Sequence, residues 1–207
     1  LSIGYKYLSR RGHRDNIFLP HQGYGVNIKL DIAHKSLLSE FDYSLISFDG
    51  FNNYKLGKAV LYTRLKGVAQ FGNPPAQDKL NFYTDEATYF PMVGISESLP
   101  ENINLRGSDS LRIGDRLLFG TIELRQKLIE GDLPVNILGF TGGDITGAII
   151  SDFGNVWNGF EKTGDFIITA GFEIKFSFKS SGLPIVIFAY GYADEIKNIT
   201  NINELNH

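Results

Sequence analysis

Residues 166–178 alternate without a break in rhythm. Phe166, Ile168, Ala170, Phe172, Ile174, Phe176 and Phe178 fall on one face, and Thr169, Gly171, Glu173, Lys175 and Ser177 on the other, with Ile167 the only apolar exception. A period of two over this length marks a β-strand with unlike faces. Its length is the stronger constraint. A sandwich strand averages about 5 to 6 residues, whereas a tilted strand crossing a bilayer needs about 9 to 11 in the hydrocarbon, plus extensions into water.

The pattern recurs. In 116–128, Leu118, Ile122, Leu124 and Leu128 alternate with Thr121, Glu123, Arg125 and Lys127; in 24–32, Tyr24, Val26, Ile28, Leu30 and Ile32 alternate with Asn27, Lys29 and Asp31. Segments 1–8, 40–48, 59–71, 144–153 and 184–193 are also strand-like, so about eight strands are expected. Segment 72–114 interrupts them with little strand pattern and four of the seven prolines, Pro74, Pro75, Pro91 and Pro100. Long insertions of this kind are uncommon in compact domains and usually functional. A soluble sandwich with a dry Phe-rich core would show the same alternation, so pattern alone does not choose. Strand length and the long insertion favour a transmembrane antiparallel β-barrel, with the insertion as a surface loop folding into the lumen. An eight-stranded barrel has room only for its own side chains. If the loop plugs the lumen, these strands belong to a larger barrel.

Composition agrees with an all-β chain. Of 207 residues, 16 are Phe, 10 Tyr and 23 Gly. Lys, Arg, Asp, Glu, Asn or Gly interrupts every apolar run, which excludes a helical membrane protein. A net charge of −3 offers no basic field for nucleic acid, and without cysteine there is no disulfide, thiolate nucleophile or cysteine metal site. His13, His21, His34 and His207 occur in no metal-ligand spacing. Gly142, Gly143 and Gly171 suit turns and strands rather than a phosphate loop, and no Gly-x-Ser-x-Gly pattern occurs. Neither an enzyme nor a cofactor is expected. Arg10, Arg11, His13 and Arg14 could meet phosphate headgroups, but a solvated turn explains them more simply. Leu1 is preceded by no initiator Met or leader pattern, so the chain reads as a fragment whose targeting signal lies elsewhere.

Five motifs in chain order resemble the bacterial surface antigen family, the C-terminal barrel domain of BamA-like and TamA-like outer-membrane assembly factors. Arg14, Asp15 and Asn16 with Pro20 and Gly23 resemble its R-D-N-x-x-x-P-x-x-G turn. Tyr54-Lys55-Leu56-Gly57 with Val60-Leu61-Tyr62-Thr63-Arg64 is similar to a turn and the strand after it. Leu105-Arg106-Gly107 resembles the V/L-R-G-F/Y loop tip, and Glu123-Leu124-Arg125 the E-L-R strand motif. The segment from Ile150 through Asp152, Phe153, Gly154 and Asn155 to Trp157 resembles F-x-D-x-G-N-V-W. Ser108 and Ile150 depart from it, standing where the family has aromatic residues, and the polar segment after Asp194 lacks the usual terminal aromatic.

The resemblance implies about the C-terminal half of a sixteen-stranded outer-membrane barrel with its last strand missing. It implies a loop at 72–114 that starts outside and enters the lumen, where Arg106 and Gly107 lock against Asp152 and Gly154. Strands 59–71, 144–153 and 184–193 would run outward, and 116–128 and 166–178 inward. Turns 9–22 and 49–58 would be periplasmic, loops 154–165 and 194–207 external, and Phe153, Trp157 and Phe160 part of an outer aromatic girdle. The implied function is insertion of other barrel proteins into the bacterial outer membrane, or translocation across it. The implied partners are the lipid bilayer, unfolded barrel or secreted clients, and periplasmic domains preceding Leu1.

Overall fold

The computed structural model of the chain describes residues 1–11, 22–75, 79–82, 105–108, 112–129, 133–137, 140–159, 166–179 and 186–195. The fold is all-β. Strands β1 (Ser2–Arg11), β2 (Gln22–Ala33), β3 (Asp42–Leu56) and β4 (Ala59–Asn73) form an antiparallel meander. Short strands β5 (Leu80–Phe82) and β6 (Arg112–Gly114) pair with each other. The meander resumes with β7 (Arg116–Ile129), β8 (Leu133–Ile137), β9 (Phe140–Trp157), β10 (Ile167–Lys179) and β11 (Val186–Glu195). β8 takes up the edge of β9 that β7 leaves, so the sheet has eight lanes in the order β1-β2-β3-β4-β7-β9-β10-β11. It is open: among the described residues β1 pairs only with β2, and β11 only with β10. The only helix among them is the 3-10 turn Lys35–Leu37, so no helix here is long and apolar enough to cross a membrane.

Several expected boundaries move. Segment 49–58 is not a loop: β3 continues to Leu56 and the turn is Gly57-Lys58 alone. Gly57 takes φ 62°, the positive value that a two-residue II′ hairpin needs at its first central position. Segment 72–114 is not all irregular, since it contains the end of β4 and the β5–β6 pair. Gly142 and Gly143 lie inside β9, where the register against β10 shifts by one residue, the bulge that strand glycines often mark. Gly154–Trp157 extends β9 beyond the strand expected over 144–153, into the loop expected at 154–165.

Register ties the lanes together. Leu8, Gly25, Phe51, Arg64, Thr121, Asp152, Thr169 and Glu195 are successive Cα partners across all eight lanes. Antiparallel partners point to the same face. The row starts near the end of β1 that adjoins β2 and finishes at the opposite rim, on the last residue of β11. The strands are therefore staggered, as closing a sheet into a tilted barrel requires.

The two faces have opposite polarity from what a soluble sheet presents. On the face of that row lie Ser47, Asn53, Lys66, Gln70, Thr121, Glu123, Asp152, Thr169 and Glu173, all buried. At the rim where β4 ends and β7 begins, this face also carries Leu45, Val68, Leu117, Phe119, Val156 and Ile167, which pack with Leu80 and Leu105 from the insertion. On the other face Ile3, Tyr5, Ile28, Ile46, Phe48, Leu65, Ile122, Leu124, Ile149, Ile168, Phe172 and Phe176 are exposed, Ile149 by 67%. The described residues of the insertion thus pack on the polar face, through Leu80, Leu105 and Arg106.

Candidate functional site

The site lies where the insertion meets the middle of the covered face. Leu105–Ser108 is a tight turn in which Ser108 N–H donates to the Leu105 carbonyl at 3.2 Å. Gly107 adopts φ 77°, the left-handed value that a type II turn takes at its third residue. Leu105 sits in the apolar cluster and Arg106 points along the sheet. A Gly107→Val variant should destabilise this turn by about 1 to 2 kcal/mol from left-handed strain alone, read as faster hydrogen exchange at 105–108.

Arg106 is held from four directions. Its Nε donates to Asp152 Oδ2 at 2.8 Å and its Nη2 to Asp152 Oδ1 at 2.6 Å, a bidentate fork. Its backbone N–H reaches the same carboxylate at 3.3 Å. The Nη2 group also donates to Thr121 Oγ1 at 2.8 Å and lies 2.8 Å from Glu123 Oε1. Thr121 and Asp152 are direct cross-strand partners, and Glu123 is the next residue on the same face of β7. All hydrogen bonds that the Asp152 carboxylate accepts from described residues come from Arg106, and Asp152 is only 1% exposed.

The ion-pair network continues beyond the turn. Arg125, one step further along β7, donates from Nε to Glu123 Oε2 at 2.6 Å and stacks on the Tyr62 ring, its guanidinium carbon 4.0 Å from the centroid. Arg64 makes a second bidentate pair, Nε to Asp49 Oδ1 at 2.8 Å and Nη2 to Asp49 Oδ2 at 2.5 Å. Lys175 meets Glu173 at 2.9 Å. Arg64, Arg106, Arg125 and Lys175 are thus each paired with a carboxylate, which is how charges survive in a partly desolvated setting.

The structure brings Arg106, Gly107, Asp152, Glu123 and Arg125 into one constellation, with Gly154 buried two residues beyond Asp152 on the same face. Phe153 and Trp157 have the parity of Ile149, the opposite face. Phe153 lies over Gly120, where a Cβ would come within 2.1 Å of its ring. Gly23 lies near the start of β2 and Arg10 and Arg11 end β1; Arg14, Asp15, Asn16, Pro20, His13, His21, Phe160 and His207 lie outside the described residues.

Three features escaped the sequence reading. Thr121 and Glu123 as ligands of Arg106 depend on the Thr121–Asp152 register, which no local pattern encodes. The Arg64–Asp49 pair needs the tight hairpin at Gly57 to set its register. Tyr7, Tyr24 and Tyr54 lie exposed on the apolar face near one rim, with the first two rings 5.6 Å apart; their even spacing from strand ends was the available signal. Toward the opposite rim the same face carries Phe71, stacked by Arg116 at 4.3 Å, and Trp157.

The described residues contain no group of histidines and carboxylates able to hold a metal ion. The sequence matches no protein-family model and none of the curated proteins searched.

Proposed function

We propose that the sheet is part of a transmembrane β-barrel of the bacterial outer membrane, related to the surface antigen family, which inserts other barrel proteins or translocates proteins across that membrane. The observation that carries this reading is the inverted polarity of the sheet. Charged side chains are buried and paired on the face that Arg106 of the insertion meets, while large apolar side chains on all eight lanes are uncovered. A soluble sandwich would bury the second set, and monomeric soluble proteins rarely leave an apolar surface of this extent exposed. A wall between lipid and a polar lumen requires what is seen. The stagger of the lanes and the aromatic residues near both rims support the same reading.

The functional half of the proposal rests on the plug. An Arg106 fork on Asp152, at the position of the family motif, suits a lumen kept closed to solutes better than a passive pore. Such a machine needs no cofactor, because unpaired backbone groups at a strand edge can template an incoming strand directly. Two measurements test it. The protein should fractionate with outer membranes and migrate faster in detergent gels unheated than heated; soluble, heat-insensitive material would remove the barrel. In planar bilayers, small erratic openings are expected, and steady large conductance would replace the assembly function with a porin.

A further inference from the structure

We propose that the turn joining β2 to β3, residues 34–41, dips into the headgroup and upper acyl region of a lipid leaflet and anchors that rim of the sheet. This inference rests on the lipid-facing reading of the apolar face and adds a contact which that reading leaves open. Leu38 is the starting observation. It is the only described non-glycine residue with positive φ, at 61°, and it is 98% exposed. A leucine is ill suited to both conditions: glycine or asparagine fits the left-handed region without strain, and either would be better hydrated. In water nothing offsets the two penalties; in an acyl environment burial of the leucine would.

The turn is built to hold this residue out. His34 caps the 3-10 turn, its Nδ1 accepting from Ser36 N–H at 3.2 Å and lying 2.7 Å from Ser36 Oγ. Leu37 and Leu38 N–H groups donate to the His34 and Lys35 carbonyls at 2.8 and 3.1 Å, and Phe41 N–H donates to Ser39 Oγ at 3.2 Å. Leu37 and Phe41 are exposed beside Leu38. The patch is continuous with the open face: Leu1, Ile3 and Leu30 are exposed on the strands below it, and the Leu1 ammonium donates to the Ile32 carbonyl at 2.8 Å at the same rim. Lys35 and Glu40 stand on either side of the two leucines, so the tip is apolar between charged residues whose heads can stay in water.

The test uses the absence of cysteine in the chain. Single variants Leu38→Cys, Phe41→Cys and Ile149→Cys of the intact protein, labelled with bimane and reconstituted in phosphatidylcholine and phosphatidylglycerol vesicles, are compared using lipids brominated high or low on the acyl chain. A label at 149 should be quenched most by deep bromines. Labels at 38 and 41 should be quenched most by shallow bromines, to roughly half or more of the intensity loss seen at 149, as for a segment about 5 to 10 Å into the boundary. Quenching at 149 without quenching at 38 and 41 would overturn the anchor while leaving the barrel standing. No quenching at any of the three would remove both. A Leu38→Asn variant gives an independent reading of sign: in lipid it should weaken shallow quenching of a label at 41, and in water it should leave that label unchanged and stabilise the turn.

Discussion

Replacing Arg106 with alanine should release the turn at 105–108 from the sheet, with a larger effect than replacing Asp152. Without Arg106, the Asp152 carboxylate keeps none of the hydrogen bonds it accepts from described residues, and the residue is 1% exposed. Breaking a buried pair from one side costs about 3 to 5 kcal/mol, so the open population of the turn should rise roughly a hundredfold or more. Asp152→Ala is milder, because Arg106 retains Thr121 and Glu123, while Glu123 in either variant retains Arg125. Hydrogen exchange and protease cleavage at 105–108 should rank Arg106→Ala above Asp152→Ala above wild type. An Arg106→Met, Asp152→Leu double variant should recover much of the loss, since well-packed apolar replacements of a buried ion pair are often neutral or better. Equal protection in all four proteins would mean that the apolar cluster around Leu80 and Leu105 holds the turn unaided.

The second large effect is on the open face. An arginine at Ile149, mid-strand in β9, should lower the folding free energy in vesicles by about 2 to 4 kcal/mol, and an arginine at Tyr54, near the rim, by no more than about 1 kcal/mol. In an aqueous protein neither surface change should exceed about 0.5 kcal/mol. The gradient is therefore more telling than either value. Urea titration of vesicle-inserted protein reads it.

Much of the fold was legible in the chain. The alternation at 166–178 is β10, and all eight lanes of the sheet were visible as apolar-polar rhythm. Boundaries were not, for identifiable reasons. In β3 the polar residues Asp49 and Asn53 fall on one face, but Gly50 and Asn52 dilute the other, so the rhythm fades before the strand does. Gly142 and Gly143 look like a turn in sequence because a bulge needs the same residue. Polarity alone left open which face is covered: a dry core beneath Phe172 and a lipid contact there write the same letters. The placement of the insertion's described residues decides it, and that depends on partners far apart in sequence, Arg106 with Asp152 and β5 with β7 and β9. Arg106 and Asp152 themselves were legible only through family likeness, since neither stands out among the arginines and aspartates of the chain.

The central claim is that the apolar face meets lipid. Nitroxide labels placed singly along 168–176 in the membrane-reconstituted protein test it most directly. Period-two accessibility is expected, with labels at 168, 170, 172, 174 and 176 relaxed by oxygen and shielded from a water-soluble nickel complex, and those at 169, 171, 173 and 175 not relaxed by oxygen. Even-numbered labels relaxed by the nickel complex, or shielded from both reagents, would contradict it.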